Sequence, residues 1–276
     1  LAITDMKGFF PLIMEAVKPL LDVKFREPLI VLATADEETS MQGAKTLAEL
    51  GRPKARSAVI GEPTGMQPVR AHKGIMMDSI RLSGKSGHSS DPGLGNNALD
   101  AMYAVIGELI RYRKELKARY SNDLFKIPYP TVNLGSIHGG DNPNRICGHC
   151  TLEFDVRLTP GMHMDSVRAE ISERILQITN PLGIQFEMTP IFTGVPAFFA
   201  KENSTLLKTA EELTGHTGIS VAFGTEGPFL QQLGMDTIIM GPGNIDQAHQ
   251  PDEYMSMKMI DPCITALREL VIRSCL

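Results

Sequence analysis

Cysteine is scarce in this chain: Cys147, Cys150, Cys263 and Cys275 are its four in 276 residues. That is too few for a disulfide scaffold at this size, so reduced thiols are expected. Lysine and arginine form no runs, and with a formal charge of -5 the chain has no electrostatic footprint for nucleic acid or an anionic membrane surface. Small solutes are the expected partners. No apolar stretch approaches the roughly 20 residues of a transmembrane helix, Leu1 to Asp5 is not the basic start of a signal peptide, and a cytoplasmic address is expected. Internal repeats and low-complexity runs are missing. So is an initiator methionine: Leu1-Ala2-Ile3 leads directly into an acidic loop and an apolar segment, and the expectation is an N-terminally truncated chain. What is present is 42% hydrophobic residues, enough for a large core in one or two domains.

Residues 6–21 have helical apolar spacing, with Pro11 tolerable in or near the first turn. Residues 29–33 and 58–60 are short apolar runs separated by a helix-like stretch at 42–50, the alternation of a parallel α/β sheet. Between residues 72 and 194 the order becomes strand (75–82), helix (97–116), strand (131–137), strand (151–158), helix (164–178), strand (184–191). That is a β-α-β-β-α-β pattern. Alternation then resumes with a helix at 204–213, a strand at 236–240 and a helix at 257–272. The reading is an α/β domain built from residues 1–71 and 192–276, interrupted by a domain inserted at 72–191. Turn-rich loops at 89–96 and 139–144 are candidates for function.

Asp36-Glu37-Glu38 follows the apolar run 29–33, which would put it at the carboxyl end of a sheet strand, where open α/β sheets place their ligand crevice. A solvated acidic turn is the plain alternative. Glu62 also follows an apolar run, His249 lies in the loop after the strand at 236–240, and Asp5 precedes the first helix. Singly, these read as a turn acid, a surface histidine and a helix N-cap. Together they converge on one sheet edge. Carboxylates and imidazole without thiolate suit catalytic zinc, with cobalt or manganese as substitutes. Two such ions roughly 3.5–4 Å apart polarise a carbonyl and acidify water, and a nearby carboxylate that is not a ligand takes the proton. Adjacent Glu37 and Glu38 could divide those duties.

The segments Thr4-Asp5-Met6-Lys7-Gly8, Ala35-Asp36-Glu37-Glu38-Thr39, Gly61-Glu62-Pro63-Thr64, Gly87-His88-Ser89-Ser90 and Ala248-His249-Gln250-Pro251-Asp252-Glu253 resemble the co-catalytic dinuclear zinc deacylase and peptidase family. Val69-Arg70-Ala71-His72-Lys73-Gly74 and Asn144-Arg145-Ile146-Cys147 resemble the branch that removes acetyl groups from amino acids. The resemblance spans essentially the whole chain. It implies a zinc-peptidase-like α/β domain, incomplete at its N-terminus, with an inserted ferredoxin-like dimerisation domain, and hydrolysis of an acylated amino acid by two Zn²⁺ ions. It also implies roles: Asp5 bridges the metals, Glu37 is the general base, and Glu38, Glu62 and His249 are terminal ligands. The family's first histidine ligand, in a His-x-Asp segment upstream of the bridging Asp, has no counterpart. Leu1-Ala2-Ile3-Thr4 stands where the family usually has a Gly-x-Gly-Thr turn.

By the same resemblance His88 reaches into the partner's site of a homodimer as the oxyanion donor. On chemistry alone, Arg157 is either a bidentate partner for a substrate carboxylate or a solvated strand-end cation; the resemblance favours the former, with Asn144 beside it. Thr225 and Glu226 are placed to line the substrate pocket, Glu226 to meet a cationic side chain. Cys147-Gly148-His149-Cys150 lacks the second ligand pair of a zinc knuckle, and Met76 and Met77 read as core or interface residues. The competing reading is a non-catalytic chain that still dimerises.

Overall fold

The computed structural model describes residues 3–276. A tight turn at Ile3–Lys7 leads into α1 (Phe9–Val17), with Pro11 in its first turn, where the missing amide has no intrahelical partner to lose. There follow α2 (Gln42–Leu50), β1 (Ser57–Ile60), β2 (Val69–His72), β3 (Gly74–Ser83), α3 (Ala98–Arg119), β4 (Thr131–Gly139), β5 (His149–Leu158), α4 (Met164–Thr179) and β6 (Gln185–Pro190). Then come β7 (Phe198–Phe199), α5 (Thr205–Thr214), β8 (Ile219–Val221), α6 (Gly227–Gln232), β9 (Asp236–Ile239) and α7 (Ile260–Cys275). No helix among the described residues is long and apolar enough to cross a membrane.

The chain divides into two compact units. The first comprises Leu1–His72, Phe198–Val221 and Thr225–Leu276; the second comprises Lys73–Ala197 with Ala222–Gly224. Residues 192–197 therefore go with the inserted unit and not with the α/β part. Two reciprocal amide–carbonyl bonds between Ile75 and Val195, at 2.8 and 2.9 Å, tie them to β3. His72 moves the other way, because its strand β2 pairs with β7 and β8.

In the first unit the sheet runs β1-β9-β2-β7, with β8 also on β2. β1 is parallel to β9, but β2 is antiparallel to β9 and β7, so the sheet is mixed where the alternation of elements predicts a parallel one. Parallel neighbours need a crossover of about a dozen residues or more, and the short connection from β1 to β2 turns the chain back instead. The expected strand at 29–33 does not form either. Among the described residues, no backbone group of residues 28–34 makes a hydrogen bond, and an apolar run becomes a strand only where a neighbour completes its ladder. Ile30 and Val31 stay exposed. The core lies between α1, α5 and α7, where Leu12, Ile13 and Ala16 meet Leu206, Ala210, Cys263 and Leu267.

The second unit holds the β-α-β-β-α-β pattern, β3-α3-β4-β5-α4-β6, as an antiparallel sheet in the order β4-β5-β3-β6. That order is the ferredoxin-like one. Alternate residues of β3 are buried: Met76, Ile80 and Leu82 join Leu152, Phe154 and Val156 under Met102, Val105, Leu109 and Tyr112 of α3 and Ile171 and Ile175 of α4. Cys147 and Cys150 lie in this core. One charge shares the buried face: the fully buried Asp78 accepts from Nε of Arg168 at 3.0 and 3.2 Å.

Candidate metal centre

The parallel pair β1/β9 brings two loops together at its carboxyl ends. A side chain on Gly61 would enter the Phe9 ring, and one on Gly241 would meet the Gly61 carbonyl, so the chain can pass this closely only as glycine. The Thr64 and Met66 amides donate to the Gly241 carbonyl at 3.2 and 2.8 Å, locking the two loops. Glu62 is thereby buried, at 5% exposure, which a solvated turn acid is not. His249 lies further along the second loop with φ of 59°, a left-handed conformation that Asp36, just before the acid pair, shares at 60°. Such backbone is costly for residues other than glycine and concentrates at functional sites.

One group of three metal-ligand side chains forms among the described residues, namely Asp5, Glu38 and His249, with donor atoms all within 4.8 Å of one another. Nε2 of His249 lies 3.1 Å from Asp5 Oδ2 and 2.9 Å from Glu38 Oε2. Asp5 does not cap the first helix: that position belongs to Gly8, and no side chain caps it. Instead the Thr4 and Asp5 amides donate to Glu253 Oε1 at 2.6 and 2.9 Å, and the Thr4 hydroxyl donates to the Tyr254 carbonyl. Glu253 is thus a positioning residue whose role the sequence does not reveal, although it closes the His249 motif. Groups that orient a ligand are worth about 10–100-fold in metal affinity. Glu253→Ala is expected to weaken Zn²⁺ binding by that factor in a chelator competition, and Glu253→Gln, which keeps an acceptor, to restore most of it.

The surrounding acids push one another's protons on. Burial first, then Glu38, Glu226 and Asp5, raise Glu37 to about 7. Burial, then Glu37 and Asp5, hold Glu62 well above the ordinary carboxylate range. Asp5 is raised by burial and Glu38 against the pull of His249. Carboxylates packed this way, with one imidazole and no thiolate, fit a divalent cation such as zinc, or cobalt or manganese in its place. Leu1 and Ala2, at the expected glycine-turn position, lie outside the described residues.

A carboxyl group raised in the folded state binds more protons there than in the unfolded chain. Its stabilisation is complete below the ordinary value of 4.5 and is lost as pH rises through about 7 for Glu37. The metal-free protein is therefore expected to be less stable at pH 8 than at pH 5, by on the order of 2 kcal/mol from Glu37 after discounting its partial exposure. Zinc should remove the difference. Thermal melts at both pH values with and without Zn²⁺ check this; a metal-free protein more stable at pH 8 would refute it.

Beside the acids, Glu226 Oε2 accepts from the Thr34 hydroxyl at 2.9 Å while its Oε1 is buried without a partner. Its neighbour Thr225 is fully buried, and the Thr225 amide donates to Nε2 of His72 at 3.2 Å. His72, itself buried and stacked on Phe198 with ring centroids 5.4 Å apart, holds this turn. The Thr225 turn lies 153 residues away from His72 in the chain, so the spacing of residues around His72 gives no signal for that task.

The remaining candidates belong to the second unit. His88 is exposed, and the Ser90 amide donates to its Nδ1 at 3.2 Å, with the Ser90 hydroxyl 2.7 Å away. Nδ1 is thus an acceptor and Nε2 carries the N–H, a donor pointing to no internal partner among the described residues. Arg145, next to Asn144, bridges to His88, and the Asn144 carbonyl accepts from the Ser89 amide at 3.0 Å. Nε of Arg157 donates to Asp155 Oδ1 at 3.0 Å, leaving the outer guanidinium nitrogens. The two groups of residues, Asp5, Glu37, Glu38, Glu62, Thr225, Glu226 and His249 in one unit, and His88, Asn144 and Arg157 in the other, are each assembled by their own unit.

A carboxylate–imidazole centre in a mixed-sheet unit, interrupted by a ferredoxin-like insertion, is the layout of metal-dependent peptidases and deacylases. Residues 70–181 match the peptidase dimerisation domain. Acetylornithine deacetylases of Aliivibrio fischeri and Pectobacterium carotovorum are 42% and 43% identical to this chain over 275 residues, covering 100% of it and 72% of each relative. The chain belongs to the acetylornithine deacetylase family. Solved structures share its fold: an M20 family metallo-carboxypeptidase from Sulfolobus solfataricus (TM-score 0.68, 20% identity, 97% of this chain and 75% of that one) and a tripeptidase from Staphylococcus aureus (0.66, 22%, 86% and 62%). Family membership makes the chain a metal-dependent hydrolase.

Proposed function

We propose that this protein hydrolyses the acetyl amide of N2-acetyl-L-ornithine to acetate and L-ornithine, in the cytoplasm, a step of arginine synthesis. The observation that carries the reading is the Asp5, Glu38 and His249 cluster beside a carboxyl group raised to about 7, in a chain 42% identical to acetylornithine deacetylases. Asp5, Glu38, Glu62 and His249 would hold two Zn²⁺ ions, with Asp5 shared. When bound, the metal polarises the acyl carbonyl and lowers the pKa of water. Glu37 takes the proton from the attacking water and delivers it to the departing amine. His88 donates its Nε2–H to the developing oxyanion across a homodimer. The outer guanidinium nitrogens of Arg157, with Asn144, bind the substrate α-carboxylate. Glu226 Oε1, buried and unpartnered, meets the δ-ammonium of ornithine, with Thr225 lining the pocket.

Turnover with added Zn²⁺ should favour N-acetylornithine over N-succinyl-diaminopimelate and over a neutral N-acetylamino acid of the same length. A missing cation–carboxylate pair costs about 10-fold or more. Equal rates on the neutral and the cationic substrate would remove Glu226 from substrate recognition.

A further inference from the structure

Of the seven histidines, six are exposed and His72 is fully buried. It ends β2, where the ladders set it opposite Phe198 of β7 and Val221 of β8. Cross-strand neighbours pack on one another, and the His72 ring stacks on the Phe198 ring. Strands on both sides of β2 thus fix where the imidazole stands. If packing were its whole task, an apolar side chain would serve better, because a buried polar ring is costly unless its nitrogens are used. His72 Nε2 is used: it accepts from the Thr225 amide at 3.2 Å. An imidazole nitrogen that accepts carries no proton, so the N–H sits on Nδ1.

The turn held in this way presents Glu226. On its other side the Gly227 amide donates to the Thr225 hydroxyl at 3.1 Å. The same Phe198 ring closes in there, since a Cβ on Gly227 would lie 2.9 Å from it. Both neighbours of Glu226 therefore rest on one platform, His72 stacked on Phe198. Residues 225 and 226 precede α6 and lie in no regular element of their own, so side chains supply the support that a helix or strand would give. The Glu226 carboxylate has Oε2 on the Thr34 hydroxyl and Oε1 buried without a partner. An unpaired buried acceptor is unfavourable, and the side chain would turn it toward water if the backbone could follow. A group that recognises a ligand must be held to within roughly 0.5 Å by residues that are themselves locked.

We propose that His72 is a positioning residue for substrate choice: by accepting from the Thr225 amide it fixes the turn so that Glu226 Oε1 meets the substrate's terminal ammonium, and a neutral side chain leaves that oxygen unpaired. His72 acts through Thr225 and not on the substrate itself. The inference rests on the proposed role of Glu226 and adds what sets the position of its carboxylate.

The test compares dissociation constants of N-acetyl-L-ornithine and N-acetyl-L-norvaline, the same side chain without the amine, by calorimetry on the metal-free 276-residue chain. The unsubstituted protein should prefer the cationic ligand about 10-fold or more. His72→Gln puts an acceptor oxygen at the reach of Nε2 and should keep that preference to within about twofold. His72→Asn has the same chemistry one methylene shorter, cannot reach Thr225, and should cut the preference to about twofold or less. Thr225→Val, which removes the hydroxyl that holds Gly227, should act in the same direction. In a Glu226→Gln background His72→Asn should change the ratio no further. A merely structural histidine would weaken both ligands alike. An unchanged ratio in His72→Asn, or in Thr225→Val should the former not fold, overturns the positioning role, as does a Gln variant that loses the preference like Asn. No preference in the unsubstituted protein, or one that survives Glu226→Gln, overturns the role of Glu226 itself and the positioning role with it.

Discussion

Glu37→Gln is expected to lower turnover of N-acetylornithine by roughly 10²–10⁴-fold, the span of general acid–base catalysis, with bound zinc unchanged. Glutamine keeps the size and the acceptor oxygen of the side chain but cannot take a proton at neutral pH. The expectation of unchanged metal rests on geometry: the clustered donor atoms belong to Asp5, Glu38 and His249, and Glu37 is not among them. The expectation of a large rate loss rests on electrostatics. A carboxyl group raised to about 7 by burial and by the acids around it can accept a proton near neutrality and release it again, which an ordinary carboxylate does poorly. The neighbouring Glu38→Gln should instead lose metal first. Elemental analysis beside steady-state kinetics separates the two, and loss of zinc from the Glu37 variant would make Glu37 a ligand rather than the base.

Asp78→Ala should destabilise the inserted unit by about 3–5 kcal/mol, the cost of breaking a buried ion pair from one side. Asp78 is fully buried on the core face of β3, and Arg168 reaches it from α4 with Nε on both carboxylate oxygens. The Arg168 Nη2 atom is already buried without a partner, so removing the carboxylate would leave the guanidinium only the exposed Asp165, 3.7 Å from Nη1, as a counter-charge. The double variant Asp78→Leu/Arg168→Met removes both charges and should recover most of the loss, because an apolar pair of similar size is often as stable as the ion pair it replaces. Urea unfolding followed by a probe in the inserted unit measures both. A single variant with unchanged stability would show that the pair is solvated.

The inserted unit was the more legible half. Its strands and helices are long, and each is amphipathic against a single layer, so period alone marks 75–82, 97–116 and 164–178 close to where β3, α3 and α4 lie. The short elements of the first unit carry too few residues to show a period. β2, β7, β8 and α6 have four, two, three and six residues, and the apolar run at 29–33 looks like a strand yet has no pairing neighbour among the described residues. The same contrast holds within the metal centre. Asp5, Glu38 and His249 stand out as acids and an imidazole after apolar runs, whereas Glu253 and His72 act through a backbone amide, on partners 248 and 153 residues away.

The sequence by itself determined the class of chemistry. Carboxylates and a histidine without thiolates select a hard or borderline divalent cation wherever they meet, and the order of amphipathic segments dictates an insertion with the β-α-β-β-α-β pattern. Only the tertiary structure decided which of those acids share one position, which is buried enough to hold a proton near neutral pH, and which edge of the sheet stays open. Those properties depend on distance, desolvation and ladder pairing between segments remote in the chain, and none of the three is a property of residue type or local spacing.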